Sequence, residues 1–415
     1  GVALIQHHLG EAYDWYGAQV MQYNQVQAEQ AFLKAMEQHQ ELVDRFPDEQ
    51  RYRYELARVY NNKGILLGAN SERADAAEKS FRKAISLFEQ LSRAHDEPNY
   101  SWRLSRTQNG LGGLLRRQNR PEEAITVYKQ AIATVNRMLI EEPDKREYKE
   151  GLARFYNNLG NLYLMNTQLK FALEANTKAR RLFESLANPI PELRNEIANS
   201  YNTLSSILRR LNQFEAATDA VETAIRQYQD LEKTSSELTA DPGFNNRFGG
   251  FLASLAILRS NSGNYEEAIG LVSRSIDYFS SAVNSAAPSS GYQQNLSNAY
   301  WLLTDIHLKT GNHIAAVLAL ESLLKNDEDK NKKVSVARLL VRVVTLVNSD
   351  STLDKLKRKA LTESYESRAV LILRQAINAG YSKSIIIKNA ETGGLFHPLS
   401  RREDFRKIIA EGENQ

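Results

Sequence analysis

Tyr60-Asn61-Asn62-Lys63-Gly64 returns 96 residues later as Tyr156-Asn157-Asn158-Leu159-Gly160, and midway between them lies Gln108-Asn109-Gly110-Leu111-Gly112. The period is therefore 48 residues, and weaker copies follow at Tyr201-Asn202-Thr203-Leu204-Ser205, from Leu252 to Ala256 and from Tyr300 to Thr304. A fixed period of this length marks a stack of like units, each too small to bury its own apolar face. A second anchor trails the first by 12 or 13 residues: Ala77-x3-Phe81-x2-Ala84, Ala124-x3-Tyr128-x2-Ala131, Ala172-x3-Asn176-x2-Ala179, Ala217-x3-Val221-x2-Ala224 and Ala268-x3-Val272-x2-Ser275. Spacings of three and four put the apolar members on one helical face, so each repeat reads as two amphipathic helices joined by a tight turn.

The punctuation agrees with that reading. Gln118-Asn119-Arg120-Pro121 and Asn261-Ser262-Gly263-Asn264 carry turn residues between the two helices, while Phe46-Pro47-Asp48 and Glu142-Pro143-Asp144 stop one repeat before the next. Only nine prolines interrupt 415 residues, and 42% hydrophobic with 25% charged residues is ordinary for a folded chain. The length exceeds what one core usually serves, as an elongated array would.

With a small residue, then Ala, an aromatic, Ala and Pro at these offsets, the chain resembles the tetratricopeptide repeat. The family's usual period is about 34 residues, so the resemblance implies lengthened helices, the second above all. Repeats with an Asn-Asn-Leu-Gly-like first helix are similar to those of kinesin light chains and to the repeat regions that follow the catalytic domain in large bacterial serine/threonine kinases. Leu373-Arg374-Gln375-Ala376-Ile377-Asn378-Ala379-Gly380-Tyr381 and Leu395-Phe396-His397-Pro398-Leu399 resemble the end of the latter regions. The implied fold is all-α, a right-handed superhelical solenoid of antiparallel helix pairs. We expect about seven pairs over residues 1–333, starting near 6, 50, 101, 149, 194, 246 and 292. A degenerate pair at 334–380 would cap them, ahead of a tail at 381–415 with a short final helix.

In arrays of this family the first helix of each pair lines an inner groove, at positions six and three residues before the small anchor. The resemblance thus assigns groove positions to Arg58 and Asn61, Arg106 and Asn109, Arg154 and Asn157, and Asn199 and Asn202, with Trp301 replacing Asn later on. An amide offers both a donor and an acceptor, so an Asn ladder can hold an extended peptide by its backbone. The stripe can equally bond neighbouring repeats: Asn62 and Asn158, one residue on, can bond neighbouring backbone, and an Arg at a helix start can pair with a Glu or Asp of the preceding repeat. Arg116-Arg117 and Arg209-Arg210 add charge farther along, and guanidinium forks suit carboxylate and phosphate, which makes an acidic or phosphorylated peptide the sharper expectation. Tyr60, Tyr156, Tyr201 and Tyr300 recur at one position and read as packing, and for Trp301 packing stands beside an apolar stretch of groove.

Catalytic chemistry is not legible. The absence of cysteine excludes disulfides, thiolate metal sites and cysteine nucleophiles. Seven histidines, His7, His8, His39, His95, His307, His313 and His397, form no i, i+4 pair and no His-Glu-x-x-His run, so no metal or cofactor is expected. Gly110-x-Gly112-Gly113 falls inside a helix, after no strand, and reads as close helix packing rather than a phosphate loop. No kinase loop and no Gly-x-Ser-x-Gly turn is present. A net charge of +3 is too mild for a nucleic-acid partner.

No run approaches the roughly 20 apolar residues of a membrane span. The start, Gly1-Val2-Ala3-Leu4-Ile5, reads as the first turn of a helix in a chain cut from something longer, with the end of a membrane segment as the alternative. Three readings follow: an interaction scaffold that binds a protein or peptide in its groove, the regulatory region of a kinase whose catalytic part lies elsewhere, or an assembly spacer whose groove is filled by its own tail or by another subunit. Location is cytoplasmic by default, or extracytoplasmic behind a membrane helix. Oligomeric state is not legible.

Overall fold

A computed structural model describes residues 1–186, 191–234, 240–285, 290–325 and 329–410. Among them are 18 α-helices and no strand. In chain order these are α1 (Val2–Val20), α2 (Gln25–Arg45), α3 (Gln50–Gly68), α4 (Ala74–Ala94), α5 (Pro98–Arg117), α6 (Pro121–Glu141), α7 (Arg146–Met165), α8 (Leu169–Glu184), α9 (Pro191–Arg210) and α10 (Phe214–Thr234). Then come α11 (Pro242–Asn261), α12 (Tyr265–Ser285), α13 (Ser290–Lys309), α14 (His313–Leu324), α15 (Lys330–Ser349), α16 (Lys355–Asn378), α17 (Lys383–Ala390) and α18 (Glu403–Ala410). Odd-numbered helices up to α15 open a pair and even-numbered ones close it. The extra length over a short repeat is not concentrated in the second helix: α5 has 20 residues and α6 has 21, so both are extended to about 30 Å.

The chain forms two compact units, Gly1–Tyr228 and Gln229–Gln415. In the first, each helix from α1 to α8 packs on the next, and first helices also touch their successors directly: α1 on α3, α3 on α5, α5 on α7 and α7 on α9. Second helices stand apart instead, leaving clefts of about 540 Å³ between α4 and α6 and about 510 Å³ between α6 and α8. First helices therefore form a continuous layer.

What sets the pair geometry is a large side chain of the second helix seated in a notch on the first. Phe81 of α4 lies over Gly64 of α3, where a Cβ would come within 2.9 Å of the ring, and Tyr128 of α6 lies over Gly112 of α5, where it would come within 2.7 Å. Every member of the trailing anchor is buried, from Ala77, Phe81 and Ala84 through Ala268 and Val272. Asn176 of α8 holds the corresponding place in the fourth pair and bonds forward, its amide donating to the Ser200 carbonyl at 2.9 Å.

The turn inside five of the eight pairs is equally regular. Asn119, Thr167, Asn212, Gly263 and Gly311 all have positive φ, between 57° and 80°, in the middle of three-residue connections. Each is closed by the same bond from two different helices' ends: Arg120 N–H to Leu115 O, Gln168 to Tyr163, Gln213 to Leu208, Asn264 to Arg259 and Asn312 to His307, at 2.8 to 3.0 Å. This is the helix-ending arrangement that glycine and asparagine tolerate best. Thr167, β-branched, is the residue least suited to it.

Beyond α16, the tail closes the second unit. Ile386, Phe396, Leu399, Phe405 and Ile408 join one core with Val334, Leu340, Tyr365 and Leu373, and Arg401 and Arg402 hold buried Glu366 of α16 at 3.1 and 3.2 Å. The tail thus lies against the second helix of the last pair. No helix among the described residues is long and apolar enough to cross a membrane.

Two outcomes follow from this geometry. Gly112→Val should destabilise the chain by about 1–3 kcal/mol through overpacking against Tyr128, read by urea unfolding. Thr167→Gly should instead stabilise it, by up to about 1 kcal/mol once the added chain entropy of glycine is set against the relieved left-handed strain; a loss of stability would show that Thr167 is unstrained.

Candidate functional site

The first-helix layer of the first unit carries most of the residues that the sequence places in a groove, but neighbouring repeats treat them unequally. At its start, Asp14 of α1 is only 1% exposed and accepts from Arg58 Nη2 at 3.1 Å and from Asn62 Nδ2 at 2.9 Å. Arg58 Nη1 also bonds Glu55 at 2.7 Å. Burial raises the pKa of both carboxyls, while Arg58 acts in the opposite sense on each. Arg58 is thus a bridge between α1 and α3 and has two anions of its own.

The situation reverses one repeat on. Arg103 and Arg106 of α5 and Arg154 of α7 have neither ion pair nor side-chain hydrogen bond among the described residues, and the Arg103 Nε is enclosed without a partner. Burial, and then the like charge of Arg103 and Arg154, lowers the pKa of Arg106, although Glu147 opposes them. Glu147 itself accepts from the indole N–H of Trp102 at 2.6 Å. Three guanidinium groups close enough to feel one another, with no bonded anion, form a place where an anion from outside would be held by several forked donors.

A pocket of about 570 Å³ continues the same face between α3 and α5. Its walls bring Asn109 and Arg116 together with Asn158 and Arg117, and Phe81 and Tyr128 line it behind Gly110 and Gly113. Asn109 accepts from Asn158 of the next repeat at 3.0 Å, and Arg117 donates to the Gly68 carbonyl at 3.1 Å. Arg116 reaches only Met165 Sδ, at 3.8 Å.

The remaining candidates are scattered. Asn61 bonds its neighbour Asn62 at 3.3 Å. Asn157 is 4% exposed with its Oδ1 unpartnered, so it lies inside the helix stack rather than on an open surface. Asn199 and Asn202 are half-buried on α9, the Asn202 Oδ1 also enclosed without a partner. Arg209 has its pKa lowered by burial and by Arg210, and Arg210 donates to the Leu164 carbonyl at 2.8 Å. Trp301 belongs to the second unit and packs against its terminal core. Asn246 and Asn295 there repeat the bond of Asn109 and Asn158, at 2.9 Å.

Sequence reasoning missed Arg103, allowed an arginine to pair with an acid of the preceding repeat without identifying Asp14, and gave Asn158 a backbone partner where the structure gives it the Asn109 side chain. Arg103 was recoverable, because it lies three residues before Arg106 and so shares its helical face. Asp14 was recoverable only by carrying the 48-residue period back from Asn62 into a first repeat that lacks the anchor. Arg58→Met should destabilise the chain by about 2 kcal/mol or more, because Asp14 and Glu55 are left as enclosed carboxylates. Arg106→Gln should cost nothing, since it removes repulsion. Equal losses in thermal unfolding would contradict the distinction.

Comparison with known proteins supplies the context. Residues 55–137 and, separately, 198–230 match family profiles described as tetratricopeptide repeat. No curated protein sequence matches the chain. Among solved structures it is similar to the apo form of RapI, at 13% identity and a TM-score of 0.54, over 99% of this chain and 96% of that one. It is also similar to a Rap protein complexed with competence and sporulation factor, at 16% identity and a TM-score of 0.47, over 97% and 96% of the two chains. For the S. pombe nuclear import adaptor Nro1 the values are 12% identity and 0.48, over 69% and 96%. At 13% identity the likeness to RapI is one of fold.

Proposed function

We propose that this chain, two stretches of which match tetratricopeptide-repeat profiles, is an interaction scaffold, and that the first-helix face of its first unit binds an acidic or phosphorylated segment of a partner protein. The observation that carries this reading is the set of Arg103, Arg106 and Arg154, the first and last half-buried and Arg106 exposed between them, with no bonded anion among the described residues. Fixed cations that repel one another lower the stability of the free protein. They are offset when an anion arrives, so the arrangement favours binding over folding.

A linear peptide suits the surface better than a rigid domain. The face is a layer of parallel helices with its donors on successive first helices, and the adjoining pocket of about 570 Å³ between α3 and α5 is large enough for one or two side chains. Asn109 and Arg116 would then meet the peptide backbone and a second acidic group, while Arg58, already paired, would contribute shape only. The Asn ladder expected from sequence is shortened to its half-buried members, because Asn157 is enclosed.

The test is fluorescence anisotropy of the whole chain with labelled Asp/Glu-rich, phosphoserine-containing and neutral peptides. The Arg106→Gln/Arg154→Gln variant should bind the acidic peptides at least tenfold more weakly, or ~1.4 kcal/mol, with an unchanged or higher unfolding temperature. Affinity should also fall as added salt shortens the Debye length below about 8 Å. Binding that ignores both the substitutions and salt, or that favours single-stranded nucleic acid over every peptide, would overturn the proposal.

A further inference from the structure

Away from the arginines, at the start of the first unit, four chemically active side chains gather where α1 meets α2. His7 of α1 and His39 of α2 are both 0% exposed, and none of their four ring nitrogens has a hydrogen-bond partner. Their rings lie 5.7 Å apart, and the edge of His39 rests on Gly10, where a Cβ would come within 2.6 Å of Nε2. A neutral imidazole still carries one N–H, and buried donors left unpaired ask for an explanation.

One is available on the solvent side of His7. Its Nε2 lies 3.4 Å from Oε1 of Glu11, and Oε2 of the same carboxylate lies 3.0 Å from Nδ1 of His8. One ligand atom from each of the three residues falls within 4.8 Å of the others. Two ligands bound at about 2.1 Å to a tetrahedral metal are themselves about 3.4 Å apart, so the His7 to Glu11 separation is already that of a tetrahedral edge. The i, i+3 and i, i+4 spacings keep the three on one turn of α1.

We propose that His7, His8 and Glu11 form a binding site for a divalent transition metal, with zinc as the best fit. Two imidazoles and one carboxylate are a donor set for zinc, cobalt, nickel or copper and a poor one for magnesium or calcium. Three protein ligands leave a fourth position for water or for an added ligand. The approach is open, since His8 is 58% and Glu11 34% exposed by side chain. Arg51, whose Nη2 lies 3.8 Å from Glu11 Oε1, balances the carboxylate without metal and is exposed enough to swing aside.

The protonation states agree. Burial first, and then Arg51 and His8, lowers the pKa of His7, although Glu11 and Glu49 oppose them. Glu11 is held below the usual carboxylate range, with His8, His7 and Arg51 outweighing its burial. His7 is therefore neutral and Glu11 ionised near pH 7, the forms in which both ligate. Tyr52 and His39 flank the His7 ring and would fix its orientation. A search for histidines paired at i, i+4 overlooks this set because its third member is a carboxylate.

The site shares no residue with the arginine face, so the two proposals fail separately. The experiment uses the untagged whole chain, stripped with a chelator and titrated with Zn²⁺ by calorimetry, with Co²⁺ as a spectroscopic probe. We expect one equivalent bound, four-coordinate d–d bands with cobalt, a higher unfolding temperature with zinc, and no competition from Mg²⁺. His8→Ala and Glu11→Gln, both at accessible positions, should each weaken zinc binding at least tenfold. Absence of binding, or binding and cobalt spectra unchanged in the His8→Ala/Glu11→Gln double variant, would overturn the site.

Discussion

A ring from the second helix seated in a notch on the first is the contact on which the rest of this molecule depends. Phe81 over Gly64 and Tyr128 over Gly112 set how closely two helices of about 30 Å approach, and therefore where the next first helix must lie. With the pair distance fixed, a three-residue turn suffices to reverse the chain, and one left-handed residue at its centre serves in repeat after repeat. Close packing of this kind leaves little tolerance: an added methyl group has no space to enter and a removed ring leaves a void.

The same contact explains the polar pattern. Because first helices touch their successors while second helices stand apart, equivalent side chains about one period distant become neighbours: Asp14 with Asn62, Asn109 with Asn158, Trp102 with Glu147, Tyr100 with Gln50, Asn246 with Asn295. A side chain on this layer is thus judged by the residue one repeat away. Where that residue is an acid, as at Arg58, an arginine becomes a bridge. Where it is another arginine, as at Arg106 and Arg154, charge accumulates. The apolar anchors carry the stability, which lets the layer hold unbalanced charge.

The second-helix side differs in character along the first unit. Between α4 and α6 the cleft is lined by charged residues of both signs, among them Glu89, Arg93, Arg137 and Glu141, together with buried Gln108. Between α6 and α8 it is lined by Ile125, Tyr156 and Tyr163, with Phe171 more than half exposed at its mouth. The recurrent tyrosines accordingly pack from the first helix toward the second, as Tyr60 and Tyr156 do within their cores. A repeat keeps its skeleton while each surface position varies freely, and surface variation is where individuality enters.

The sequence by itself determined the period, the helix pairs, the turns and the buried anchors. These depend on local spacing and on side chains too large or too small to be exchanged, and both are written along the chain. It also indicated which residues share the first-helix face, since that follows from the helical period. What only the tertiary structure decided is which of them are available. Arg58, Arg106 and Arg154 occupy one position in three repeats, yet Asp14 neutralises the first, and Asn157 is enclosed where Asn109 is not. His7, His8 and Glu11 share one turn of α1, but His7 is enclosed only when His39 of α2 packs beside it. Pairing and burial are set by neighbours about 48 residues distant, whose distances, rotamers and access to water exist only once the repeats are stacked.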